Sequence, residues 1–197
     1  HIEHAGVHSG DSGMISPPVK INNETLARMR EIAIKLSNLM EIIGPVNFQF
    51  AVKENDIFCI EANPRGSRTL PFLSKASDIN LPGLATKALL GEEIETISQL
   101  SLNYYAVKQS TFPFDRFIED DIILGPKMRS TGETLGIDKN INFAVLKSYL
   151  GNYPNITNDG KILISLADRS KGILKKIAKP LYELGYTFMA TKGSYDV

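Results

Sequence analysis

The feature that most constrains this chain is a pair of short extended runs joined by turn chemistry. In Val46-Asn47-Phe48-Gln49-Phe50-Ala51-Val52, apolar and mostly polar residues alternate, the period of a strand with one buried face. Asn55-Asp56 supplies a turn, and residues 57–63 run back as a second strand. A three-residue turn over positions 54–56 places Gln49 opposite Glu61, Asn47 opposite Asn63, and Phe48 and Phe50 against Ala62 and Ile60. A slip of one residue would invert both faces, so the pattern specifies the register. Gln49, Glu61 and Asn63 then share one polar face. One carboxylate and two amide oxygens make a hard-oxygen site of the kind Mg²⁺ takes together with substrate phosphates. Arg65 follows immediately, placed to neutralise charge on a transferring phosphoryl group. Spacing alone fits a solvated sheet face with a surface arginine better, because polar strand faces are common.

Residues 1–18 carry Gly6, Gly10, Gly13 and paired prolines, which predicts loop and short extended structure. Asn22 or Asn23 can cap a helix whose apolar positions Leu26, Met29, Ile32, Ala33, Leu36, Leu39, Met40 and Ile43 recur at helical spacing, with Gly44-Pro45 as its stop. Residues 64–77 read as a loop or short helix rich in Arg65, Arg68 and Lys75. A second helix is expected from near Pro82 to Gly91, a strand over 104–114, and a helix over 140–150. The turn-rich run from Gly151 to Gly160 is the expected domain boundary. Beyond it, a strand over 161–167, a helix over 170–184 and a strand over 186–190 complete a βαβ unit.

At 197 residues the chain can hold one large or two small domains. Its 22 basic and 22 acidic side chains cancel, so no global field draws it to nucleic acid or to an anionic membrane. No apolar run approaches the roughly 20 residues that span a bilayer, and the polar opening His1-Ile2-Glu3-His4 is not a secretory signal. Cys59 is alone, which suits a reducing compartment; flanked by Phe58 and Ile60, it reads as core filler. The glycosylation patterns at Asn23-Glu24-Thr25 and Asn155-Ile156-Thr157 are chance matches in such a compartment. With no initiating Met, and with Tyr195-Asp196-Val197 reading as a strand cut short, the chain is expected to be a fragment.

Three further groups could carry chemistry. The loop Ala5-Gly6-Val7-His8-Ser9-Gly10-Asp11-Ser12 has glycines that let backbone approach a ligand, with a His and a Ser able to bond phosphate or ribose. Alone, an ordinary surface turn is the better reading. His1, His4 and His8 would need a helix to converge on a metal, and Gly6 and Gly10 argue against one. Lys127-Met128-Arg129 fits an anion site or a surface or interdomain contact equally well.

Taken together, Gly6-Val7-His8-Ser9-Gly10-Asp11-Ser12, Asn47-Phe48-Gln49-Phe50-Ala51-Val52, Ile60-Glu61-Ala62-Asn63-Pro64-Arg65 and Pro126-Lys127-Met128-Arg129-Ser130-Thr131-Gly132-Glu133 closely resemble carbamoyl phosphate synthetase large subunits, in that family's order and spacing. The resemblance spans essentially the whole chain. It implies an α/β fold: an α+β ATP-grasp carboxyl-side subdomain with antiparallel sheet over 1–155, then the start of a methylglyoxal-synthase-like allosteric domain over 156–197. Because the synthetase segment runs into a βαβ unit, the resemblance implies the second synthetase half, which phosphorylates carbamate with MgATP.

By the same resemblance, nucleotide contacts fall on Gly6, Val7, His8 and Ser9 with Gln49 and Glu61, and the Mg²⁺ (or Mn²⁺) ligands on Gln49, Glu61 and Asn63. Arg65 and Arg68 match arginines that stabilise the phosphoryl group and the carbamate. Ser165, Lys171, Thr191 and Ser194 match positions around an allosteric effector site, and Lys192 stands where many bacterial members have His. The parent is expected to be a cytoplasmic ligase serving pyrimidine and arginine synthesis, fed from bicarbonate and from ammonia released by a glutaminase small subunit. These 197 residues alone are expected to be inactive, since the glycine-rich lid of an ATP-grasp site would precede His1. Two other readings remain: a different ATP-grasp ligase, such as a biotin carboxylase or an amino-acid or purine-pathway ligase, and a non-catalytic nucleotide-binding or regulatory module.

Overall fold

A computed structural model of the chain describes residues 1–2, 6–97, 100–116, 122–155, 157 and 159–196. His4, the acidic run at 119–121, Ile156 and Val197 lie outside the described residues. The chain divides into two compact units, His1–Asn152 and Tyr153–Val197.

In chain order the first unit contains β1 (Met14–Ser16), α1 (Asn23–Leu39), β2 (Asn47–Lys53), β3 (Asp56–Asn63), α2 (Thr69–Ser77), α3 (Leu81–Leu89), β4 (Tyr105–Thr111), β5 (Gly132–Asp138) and α4 (Ile141–Asn152). An antiparallel sheet in the order β1-β4-β5 is its centre. Successive residues of β4 point to opposite faces, and both faces are covered. On one, Ala106 joins Met14 with Phe72 and Ala76 of α2 in the buried apolar cluster. On the other, α4 lies so close that a Cβ on Gly136 would sit 2.0 Å from the Ala144 carbonyl oxygen. The sequence reading misses β5, because Gly132 and Gly136 break any alternation there. The end of α4 is fastened to β4 by Asn152, whose Nδ2 donates to the Ser110 carbonyl at 3.1 Å and whose Oδ1 accepts from Thr111 Oγ1 at 2.5 Å.

Helix α1 starts as its sequence predicts, with Asn22 Oδ1 accepting from the Thr25 N–H at 2.8 Å. It stops at Leu39, however, well before Gly44. Glu41 takes the left-handed position (φ 49°), with Glu41 N–H on Asn38 O at 3.2 Å and Ile42 N–H on Ser37 O at 3.0 Å. That is the helix-ending pattern glycine normally serves; here a glutamate serves it, so composition could not reveal the stop. Asn80 caps α3 on Gly83 N–H at 2.9 Å, with Pro82 in its first turn.

The β2–β3 hairpin departs from its predicted register in two places that cancel near the site. Its turn is two residues, Glu54-Asn55, since Lys53 pairs with Asp56, and Glu54 carries the positive φ of 56°. A bulge between Gln49 and Phe50 then sets Phe50 opposite Cys59 instead of Ile60. Above the bulge the expected pairs Gln49–Glu61, Phe48–Ala62 and Asn47–Asn63 are all present. Cys59 is exposed, which corrects its reading as core filler.

The second unit contains β6 (Lys161–Ile164), a 3₁₀ turn over Asp168–Ile173, α5 (Leu174–Glu183), β7 (Thr187–Ala190) and α6 (Lys192–Tyr195). β6 and β7 are parallel and in register from Lys161–Thr187 to Ile164–Ala190, the expected βαβ arrangement. β6 is shorter than predicted, and the helix is preceded by the 3₁₀ turn. Residues 192–195, read in part as a severed strand, form a helical turn instead.

Candidate functional site

In the first unit, a cavity of about 520 Å³ is bordered by His8, Ser9, Gly10, Asn47, Glu61, Asn63 and the stretch from Arg65 to Thr69, with Met14 and Met128. Chain segments far apart in sequence thus bring together His8, Ser9, Glu61, Asn63, Arg65 and Arg68. Gly6 and Val7 precede the cavity wall. Gln49 is buried and does not border the cavity, though it pairs across the strands with Glu61.

The hairpin presents Glu61 as an exposed carboxylate, with the half-buried Asn63 two residues on along the same strand face. One carboxylate with neighbouring amide oxygens fits a hard divalent ion that also takes phosphate oxygens. No group of three or more His, Cys, Asp and Glu that could hold a metal occurs among the described residues. A site with a single carboxylate would not make one. The loop on the opposite wall is drawn tight by its own bonds. His8 Nδ1 accepts from Gly10 N–H at 3.0 Å, the His8 carbonyl accepts from Asp11 N–H at 2.8 Å, and His8 N–H donates to the Gly125 carbonyl at 2.9 Å. A Cβ on Gly10 would sit 2.8 Å from Met128 Sδ and 3.1 Å from His8 Nδ1, so a larger residue there would have to displace the Met128 side chain.

The two arginines stand differently. Arg65 is exposed, its Nη1 donating to the adjacent Gly66 carbonyl at 3.0 Å. Arg68 is half-buried and spends both terminal nitrogens on the chain: Nη1 on Ser130 Oγ at 2.5 Å and Gly132 O at 3.4 Å, Nη2 on Ser130 O at 3.0 Å.

Beneath the cavity lies a buried polar layer that sequence reasoning passed over. Lys108 is fully buried on β4, donating to the Gly10 carbonyl at 3.1 Å and to Ser110 Oγ at 3.4 Å. Burial pushes its pKa down; the nearby Glu133 and Asp11 carboxylates act against that, and Arg68 adds to it. The available signal was a lysine at an inward position of the apolar run Tyr105-Ala106-Val107, where only a functional or partnered charge belongs. Asp11 is buried too, accepting from Arg129 N–H at 2.8 Å, Ser130 N–H at 3.0 Å and Ser130 Oγ at 2.5 Å.

Burial acts to raise the Asp11 pKa. The Ser130 hydroxyl, the two backbone N–H groups and the charge of His8 outweigh it and hold the carboxyl below its ordinary value. A depressed carboxyl contributes stability that is present above the unfolded-state pKa and is lost as pH falls through the folded value. The urea midpoint of the chain is therefore expected to exceed that of Asp11→Asn at pH 6. The gap should close as pH falls below about 4, the unfolded-state range. A gap constant from pH 6 to pH 2.5 would contradict this assignment.

In the second unit, Thr191 Oγ1 lies 3.4 Å from both Ser165 Oγ and Ser194 Oγ, and Ser194 Oγ accepts from Leu166 N–H at 3.0 Å. Lys171 Nζ is 2.5 Å from Asp168 Oδ1, and a Cβ on Gly193 would be 3.1 Å from the same nitrogen. Ser165, Lys171, Thr191 and Ser194 thus gather at the carboxyl ends of two parallel strands, where open α/β sheets bind ligands. Lys192 opens the helical turn beside them.

Residues 3–97 match the family model described as carbamoyl-phosphate synthase L chain, ATP binding domain. The carbamoyl phosphate synthase large chain of Methanothermobacter thermautotrophicus is 40% identical over 200 residues, covering 98% of this chain and 19% of the relative. The chain belongs to this family. The large chain of Methanobrevibacter smithii is 41% identical over 201 residues, covering all of this chain and 19% of the relative. In Methanocaldococcus jannaschii the similar protein is a carbamoyl phosphate synthase large chain, C-terminal section, 39% identical over 210 residues, of which this chain covers 34%. The chain thus spans about a fifth of the full-length family members it matches.

N5-carboxyaminoimidazole ribonucleotide synthetase from Thermotoga maritima superposes with a TM-score of 0.55 at 16% identity, over 72% of this chain and 44% of that one. An ADP complex of an N5-carboxyaminoimidazole ribonucleotide synthetase gives 0.54 at 16% identity, over 72% and 41%. At that identity the likeness concerns fold alone: mixed helix and strand with antiparallel sheets, the ATP-grasp architecture, as the sequence led one to expect. No helix among the described residues is long and apolar enough to cross a membrane.

Proposed function

We propose that this chain is the carboxyl-side part of the second synthetase half of a carbamoyl phosphate synthase, where carbamate is phosphorylated by ATP. The observation that carries the reading is the convergence of Glu61, Asn63, Arg65 and Arg68 with the His8–Ser9 loop on one cavity. Similarity to a C-terminal section over the full chain supports the second half. His8 and Ser9 meet the nucleotide. A carbamate oxygen attacks the γ-phosphorus in line, a new P–O bond forms, and the bond to the β–γ bridging oxygen breaks as ADP leaves. Arg65, exposed and loosely tied, follows the equatorial oxygens of the transferring group, while Arg68 holds the carbamate. Glu61, Asn63 and Gln49 would hold Mg²⁺ or Mn²⁺, which when bound neutralises phosphate charge.

The rest of the reading concerns the parent. A glutaminase small subunit supplies ammonia, bicarbonate is the carbon source, and the enzyme is cytoplasmic and serves pyrimidine and arginine synthesis. An effector binds the second unit around Ser165, Lys171, Thr191 and Ser194, at the start of a methylglyoxal-synthase-like domain. The isolated chain is inactive, since it spans only about a fifth of the large chains it resembles. The decisive experiment is ATP formation from carbamoyl phosphate and MgADP by a large chain carrying this segment. Formation of ATP is the expected result. A folded chain that binds MgADP and makes none would return the assignment to ATP-grasp ligases at large.

A further inference from the structure

We propose that Ser130 and Asp11 are positioning residues of this site, joined to Arg68 in a carboxylate–hydroxyl–guanidinium relay that fixes the arginine's plane toward the carbamoyl group; the relay rests on the function proposed above. The direction of each bond follows from chemistry. A guanidinium only donates, so Ser130 Oγ must accept from Arg68 Nη1 at 2.5 Å. An ionised carboxylate only accepts, so the single hydroxyl proton of Ser130 goes to Asp11 Oδ1, also at 2.5 Å. Its other acceptor, the Gly10 carbonyl, is farther away at 3.4 Å. The depressed pKa of Asp11 keeps that acceptor ionised.

A second bond, Arg68 Nη2 to the Ser130 carbonyl at 3.0 Å, removes the remaining rotation of the guanidinium. Asp11 and Ser130 are both buried, so water does not compete and the charge-assisted bonds act at full strength. The two arginines thus divide the work. Arg65 can move with the phosphoryl group, and Arg68 is set in advance, which spares the ordering cost when substrate arrives. Asp11 also grips the N–H groups of Arg129 and Ser130, so one carboxylate ties the nucleotide-side loop to the segment that leads into β5 and carries the relay.

The test is ATP formation from carbamoyl phosphate and MgADP by a large chain carrying this segment. Ser130→Ala should raise KM for carbamoyl phosphate and lower kcat, together about 10- to 100-fold in kcat/KM, the range lost when a supporting partner is removed. KM for MgADP should stay unchanged, a split that general loosening would not give. In a double-mutant cycle, Arg68→Ala with Ser130→Ala should lose no more than Arg68→Ala alone.

Additive losses, or equal shifts in both KM values, would overturn the relay. If Ser130→Ala does not fold, Ser130→Cys takes its place with the same expected split; if neither folds, the pair is structural and the proposal fails. An unsubstituted chain that makes no ATP sinks the functional reading and the relay with it. An active chain with additive losses sinks the relay alone.

Discussion

Replacing Glu61 by alanine is expected to lower ATP formation from carbamoyl phosphate and MgADP by about a hundred- to a thousandfold, the range seen when one stabilising group is removed from a charge-transferring site. Glu61 is the carboxylate bordering the cavity. The amides of Gln49 and Asn63 cannot replace its charge. Its side chain is exposed, so its removal should change stability by less than about 0.5 kcal/mol. Lost activity would then report on the site and not on folding. Mn²⁺ binding in the presence of ADP, followed by electron paramagnetic resonance, separates the roles. Weaker Mn²⁺ binding by Glu61→Ala is the expected result, and unaltered binding with unaltered turnover would remove Glu61 from the metal set.

The second large effect is on stability. Gly136→Ala should cost more than about 4 kcal/mol, in the exceptional range for one substitution and a large part of a typical domain's 5–15 kcal/mol. The added methyl would meet Ala144 O at 2.0 Å and Ser148 N at 2.5 Å. Both are backbone atoms inside α4, so no rotamer change can relieve the contact, and helix and sheet must part. Loss of the cooperative thermal transition, read by circular dichroism, is the expected outcome. A melting temperature within a few degrees of the unsubstituted chain would mean that α4 rides farther from β5. Gly125, with nothing within 4 Å of its would-be Cβ, is the matched control and should tolerate alanine.

What the sequence disclosed and what it hid follow from the range of the forces involved. The polar face of the hairpin was legible because strand alternation is local, and Gln49, Glu61 and Asn63 fall on it whatever packs behind. The bulge at Ile60 was not legible, since a shorter turn and an extra residue compensate each other and leave no trace in the pattern. β5 escaped because Gly136 is chosen by α4, a tertiary demand that overrides strand propensity. The end of α1 escaped because a glutamate occupies the left-handed position where glycine is the readable sign. The buried polar layer was hidden for a related reason. Lys108, Asp11 and Ser130 matter through partners about a hundred positions away, and no local spacing encodes that.

The bond from Ser130 to Asp11 spans 119 positions, and this has a consequence for synthesis on the ribosome. At about 5–20 residues per second, the loop holding His8 emerges roughly 6–24 s before the residues that secure it exist. Through that interval the loop has no native anchor at Asp11, and β1 waits likewise for β4. The wall formed by the His8 loop is thus translated well before the residues that secure it and becomes native only after them. A nascent chain released before residue 130 would carry the sequence of the site without its shape.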